Sequence, residues 1–111
     1  MAPGTHHALI LLFDQEMTLS NLVYGGVLER FPELKVIVLE CGGGWIAHWF
    51  DRLGEFLESY GWATPPLSLT PKEYFQRQCW ISFDPRRNDG AGVVAAHRQG
   101  PARLGLRLPP Q

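Results

Sequence analysis

The chain of 111 residues has only two cysteines, Cys41 and Cys79, and neither sits in a Cys-x-x-Cys or Cys/His spacing. That argues against a zinc-ribbon or a disulfide-built scaffold. It also lacks an excess of either charge. With a formal net charge of −1 at pH 7, nothing draws it to nucleic acid or to an anionic membrane surface. No apolar run approaches the roughly 20 residues of a membrane span. The opening Met-Ala-Pro-Gly-Thr-His-His has no basic stretch, so residues 8–13 make a poor signal peptide. A reducing, cytoplasmic setting is the expectation. Phosphate-loop motifs of the Gly-Lys-Ser/Thr and Gly-x-Gly-x-x-Gly kinds are absent, as are His-x-His and His-Glu-x-x-His. Residues 86–111 contain no Phe, Trp, Tyr, Ile, Met, Lys or Glu. A segment so poor in apolar residues buries little surface. The chain therefore divides into one globular part, 1–85, and a tail, 86–111, of low order.

What is present gives alternating helices and strands. Asp14 is placed to cap a helix carrying Met17, Leu19, Leu22, Val23, Val27 and Phe31. Gly25 and Gly26 weaken that helix but allow a neighbour to approach closely, and Pro32 stops it. Residues 35–40 follow as a strand whose unbroken apolar run reads as buried on both faces. Trp45, Ile46, Trp49, Phe50, Leu53, Phe56, Leu57 and Tyr60 form a helical stripe. Gly61 and the Pro65-Pro66 pair close it. Thr70-Pro-Lys-Glu73 is a capping box, which predicts a short helix over 71–77. Cys79-Trp-Ile-Ser-Phe-Asp84 is a second strand. Such an order means an α/β fold with parallel strands joined by helical crossovers.

Both strands end in a carboxylate, and active sites of α/β folds lie at carboxyl ends of strands. Glu40 stands just before Gly42-Gly43-Gly44. It could ligate a metal, act as a general base, or orient its neighbours through hydrogen bonds. Asp84 has a similar position, although the Asp84-Pro85 pair also reads as a simple turn start. The glycines form a tight turn, and the backbone N–H groups after them could cradle a substrate carboxylate. His6 and His7 read as solvated, His48 falls off the apolar stripe, and His97 belongs to the tail.

Gly25-Gly-Val-Leu-Glu-Arg-Phe-Pro-Glu-Leu-Lys-Val36, Leu39-Glu-Cys-Gly-Gly-Gly-Trp45 and Trp49-Phe-Asp-Arg-Leu53 resemble the amidohydrolase-related family, which includes aminocarboxymuconate-semialdehyde decarboxylase and related aromatic-acid decarboxylases. Glu73-Tyr-Phe and Ile81-Ser-Phe-Asp-Pro85 fit the same pattern, so the resemblance covers about residues 8–85. It implies a (β/α)8 barrel with a divalent metal, usually zinc, at the carboxyl ends of its strands. Members are hydrolases or decarboxylases of small, often aromatic, carboxylated substrates, and the metal polarises the substrate and activates water. Many members have a metal-binding histidine where this chain has Glu40, and a carboxylate is also a legitimate zinc ligand. Ala47 stands where the family has proline. The amino-terminal His-x-His strand and the closing aspartate strand have no counterpart.

A whole barrel takes about 250 residues, so the expectation is a fragment with about two parallel strands and their flanking helices. Glu40 and Asp84 are its catalytic candidates, and Glu40 its metal ligand. The substrate of the parent enzyme is a small carboxylic acid, and the fragment alone is expected to be inactive and to self-associate. The rival is a non-catalytic remnant, a pseudo-enzyme or interaction fragment. The resemblance stops at Asp84-Pro85, and the tail beyond it reads as translation in a shifted frame.

Overall fold

Helix α1 runs over Pro3–Tyr24 in the computed structural model, which describes residues 2–39 and 41–82. Proline occupies its first turn, where a missing N–H is harmless, after an extended Ala2. The expected cap, Asp14, is instead an exposed residue inside the helix. Residues 8–13 are mostly good helix formers, so the helix propagates upstream through them rather than starting after them.

Gly26 ends the run. It is buried, its φ is +73°, and a Cβ built on it would lie 3.3 Å from the Pro65 ring. The close approach expected of the glycine pair is therefore to Pro65. Helix α2, Val27–Arg30, follows and buries Leu28. Phe31 leaves the helical region one residue before Pro32.

Strand β1 is Val36–Val38, α3 is Ile46–Tyr60, a 3-10 turn covers Gly61–Ala63, α4 is Pro71–Gln78 and β2 is Cys79–Ile81. The capping box is complete: Thr70 Oγ1 accepts from the Glu73 N–H at 3.3 Å, and the Glu73 carboxylate accepts from the Thr70 N–H at 2.7 Å. The two strands pair in parallel, Val36 with Cys79, Ile37 with Trp80 and Val38 with Ile81. The structure is thus mixed α/β, with α3 and α4 forming the crossover between parallel neighbours.

Leu19 and Val23 of α1, Leu28 of α2, Ile46, Trp49 and Phe50 of α3, and Tyr74 and Phe75 of α4 pack with Val38, Cys79 and Ile81 into one core. Aromatic rings make its spine: Trp49 to Phe50 at 5.6 Å and Phe50 to Phe75 at 5.4 Å between centroids. The α3 stripe is only partly absorbed, because Phe56 and Tyr60 remain exposed near its end. The sheet also departs from expectation. Helices cover one side of β1, where Val38 lies, while Ile37 is 52% exposed. An all-apolar run does not reveal which of its sides has a partner. Among the described residues, no helix is long and apolar enough to cross a membrane. Glu40, Asp84 and the tail 86–111 lie outside the described residues.

Candidate functional site

The carboxyl end of β1 leads into the glycine turn. Pairing continues one step past the strands, with the Ser82 N–H donating to the Val38 carbonyl at 3.0 Å. Gly42 takes a φ of +66°, a left-handed conformation that favours glycine. Its carbonyl accepts from the Trp45 indole Nε1–H at 2.9 Å and from the Cys41 thiol at 3.4 Å. The Ile46 N–H donates to the Gly43 carbonyl at 3.2 Å and opens α3. Trp45, expected only to pack, is half-buried and braces the turn through its indole nitrogen. Trp49 is buried, and its Nε1–H donates to Ser20 Oγ at 2.9 Å, fastening α3 to α1.

The chemistry available at this end is limited by the state of its thiol, Cys41. Burial raises the Cys41 thiol above its ordinary range; the Trp45 hydrogen bond opposes the rise, and the charge on Glu16 adds to it. At the opposite end of the strands, where Cys79 opens β2, burial pushes its thiol up to about 12. Thiolate is the nucleophilic form, so both cysteines stay protonated and inert at neutral pH. His6, His7 and His48 are exposed, as their sequence positions implied. Among the described residues, no three His, Cys, Asp or Glu side chains come together where they could hold a metal ion. The two sequence candidates, Glu40 and Asp84, and also His97, fall outside the described residues, so the structure does not bring them to the turn or remove them from it.

A denser polar cluster occupies the opposite, amino end of the strands. The Glu29 carboxylate accepts from the Tyr74 hydroxyl and, at 2.9 Å, from Ser68 Oγ. The Tyr74 oxygen in turn accepts from the Ser68 N–H at 3.1 Å. Gln78, 2% exposed, donates through Nε2 to the carbonyls of Phe31 and Leu34 at 3.0 and 2.9 Å. Arg77 donates to the Leu28 carbonyl and, through Nε at 2.8 Å, to Gln78 Oε1. The bonds of Glu29, of Gln78 Nε2 and of Arg77 to Leu28 tie α2 and the segment before β1 to α4 and the loop before it. In folds with strand-end active sites this is the end that serves stability.

That cluster makes stability depend on pH in a stated direction. Hydrogen bonds from Tyr74 and Ser68 hold the Glu29 carboxyl below the usual carboxylate range. Its contribution is present above the unfolded carboxylate value of about 4.3 and is lost as pH falls through the lower folded value. The Tyr74 phenol is raised, first by burial and then by its bond to Glu29. Its contribution holds below the unfolded value of about 10 and is lost as pH climbs through the raised one. Urea midpoints measured from neutral pH into acid should fall, and Glu29→Gln should flatten that fall. Glu73, lowered by its bonds to Thr70, supplies the part that persists. An acid limb identical in wild type and Glu29→Gln would show that the carboxylate adds nothing.

Nothing in the sequence pattern singles out this cluster, because Ser68, Tyr74, Arg77 and Gln78 reach partners 39 to 49 residues away. No protein-family model matches the chain, and no curated protein matches it either.

Proposed function

We propose that the chain is a piece of an amidohydrolase-related (β/α)8 barrel whose complete form hydrolyses or decarboxylates a small, aromatic, carboxylated substrate with a divalent metal. The observation that carries this reading is the unit made by β1, the glycine turn, α3, α4 and β2. Two parallel neighbours are joined through helices, and a positive-φ glycine lies just beyond the carboxyl end of the first strand. Such a unit is the repeat of a (β/α)8 barrel, and that end of its strands is where chemistry sits. Within the reading, Glu40 is the ligand or base and Asp84 the second carboxylate. Within the same reading, backbone N–H groups at the start of α3 cradle the substrate carboxylate.

A catalytic zinc takes three protein ligands and an open position. The described residues do not fit that demand, since no three candidate ligands converge among them. The remaining ligands belong to barrel strands that the described residues do not supply. On this reading the chain by itself turns over no substrate.

The test is metal analysis of the chain after purification in zinc-containing buffer and dialysis. Zinc well below one equivalent, with no hydrolase or decarboxylase turnover of aromatic carboxylates, is the expected result. One tightly held equivalent in a monomer would overturn the claim that the chain lacks most of its site.

A further inference from the structure

Charge is divided unevenly along the chain. Residues 1–85 hold ten acidic and five basic residues, a net −5, while residues 86–111 hold five arginines and one aspartate, a net +4. Much of the acidic excess collects on the outer side of α3. Asp51, Glu55 and Glu58, spaced four and three residues apart, fall on one exposed face of that helix. Like charges at this spacing repel. Glu58 also adds a negative charge to a helix end that favours cations, and no basic residue stands in that last turn. Among the described residues the row's one ion pair is Arg52 with Glu55 at 3.5 Å, their side chains 74% and 71% exposed. By contrast, Glu29 and Glu73 already accept hydrogen bonds from Tyr74, Ser68 and Thr70. Beside the row lies a shallow cavity of about 410 Å³, lined by Glu55 and by the rings of Tyr24, Phe56 and Tyr60. Tyr24 to Phe56 is 5.2 Å and Phe56 to Tyr60 5.1 Å between centroids.

We propose that this face of α3 docks the arginine-bearing segment 86–111 of the same chain, with a guanidinium seated between Glu55 and the aromatic cavity. Chemistry and length both argue for that occupant. A guanidinium is planar, stays charged, stacks on aromatic rings and pairs with carboxylates. The cavity and the acidic row offer both kinds of partner side by side. Within the chain, the +4 segment is the charge complement of the acidic row. It follows β2 at the carboxyl end of the sheet, the end from which α3 begins. A coil of 26 residues spans about 30 Å on average. With 15 residues, α3 is about 22 Å long, so the arginines can reach the whole row. Exposed ion pairs are individually weak, but a tether holds the segment at an effective concentration of roughly millimolar. Attraction between opposite charges needs no ancestral design, so the contact does not depend on how the segment arose.

Paramagnetic relaxation in the full chain tests the proposal. A nitroxide is placed beside Arg98 through Gln99→Cys, in a Cys41→Ser background that leaves only the buried Cys79. In low salt the amide signals of residues 51–60 should lose several-fold more intensity than those of α4. Asp51→Asn, Glu55→Gln and Glu58→Gln together should restore them, as should about 1 M salt, where the screening length falls to about 3 Å. Arg98→Gln with Arg103→Gln should do the same and serves if the acidic triple variant fails to fold. Signals that keep their intensity along α3, or lose it evenly over all helices, overturn the proposal. Loss along α3 that neither salt nor either set of substitutions relieves overturns it too. Loss that vanishes on dilution also overturns it and names a second copy of the chain as the source of the segment. The readout is distance rather than zinc, so failure here and failure of the barrel reading are separate results.

Discussion

Gln78→Leu should lower the urea midpoint of unfolding by the equivalent of about 2–4 kcal/mol, with little change in the denaturant slope. Leucine matches glutamine in size but has no polar atoms. The substitution leaves the carbonyls of Phe31 and Leu34 without the Nε2 donor and the Arg77 Nε–H without its Oε1 acceptor. Each buried polar group left unpaired costs about 1–3 kcal/mol. The total stays below the full sum because Phe31 and Leu34 lie at the surface, where water can reach part of the gap. Against the roughly 5–15 kcal/mol that holds a small domain together, this is a large fraction. The location sharpens the expectation. Gln78 is the last residue of α4 and immediately precedes β2, while the carbonyls it holds belong to the segment entering β1. One amide therefore sets the register between the starts of the two strands. If Gln78→Leu unfolds at the wild-type urea concentration, the amide has no net weight and the register is set by the apolar core alone.

Local signals were legible in the sequence and distant ones were not. The Thr70-to-Glu73 box spans one helical turn, and its helix appears at Pro71–Gln78 with both reciprocal bonds formed. The α3 stripe starts within a residue of its helix, and both strands form inside their expected segments, 36–38 within 35–40 and 79–81 within 79–84. The start of α1 was misplaced because a capping residue is only a local preference. Asp14 is tolerated inside a helix when the residues before it propagate one. The sidedness of β1 was not legible for a different reason. Val36, Ile37, Val38 and Leu39 are all apolar, so the pattern has no period from which to read a covered face. Only the helices that pack on Val38 and Ile81 decide it. At the candidate site, the three glycines announced a turn. Which of them takes the positive φ was not legible; it is Gly42, whose carbonyl also accepts from the Trp45 indole. Gln78 was invisible because its partners, Leu34 and Phe31, are 44 and 47 residues away.

The coding DNA should show that residues after about 85 are read one base out of the ancestral frame. The resemblance to the amidohydrolase-related family ends at Asp84-Pro85, and the composition changes at the same place. Members of that family continue to a strand ending in a motif like Trp-Ala-Ser-Asp-Tyr-Pro-His, whose aspartate serves the metal site. Leu104-Gly-Leu-Arg-Leu-Pro-Pro-Gln111 can be written CTG GGC CTC CGA CTA CCC CCA CAR. Starting from the second base, that string reads TGG GCC TCC GAC TAC CCC CAC, which encodes the motif. Arg86-Arg87-Asn88, written CGA CGA AAY, yields GAC GAA in the same shifted frame, the Asp-Glu that often follows Phe-Asp-Pro in the family. Three codons make the idea strict. The codon for Arg107 must be CGA or AGA, because any other removes the aspartate. Neither Val93 nor Val94 can be GTA, because each valine is followed by a codon beginning with G and the shifted triplet would be the stop TAG. If the Arg107 codon is CGA or AGA and both valines avoid GTA, the missing metal-site aspartate is encoded in the gene but not translated in this chain. The zinc deficit and the inactivity proposed for the chain then have a cause in its reading frame. An Arg107 codon of any other kind removes that cause and leaves the tail as a sequence of its own.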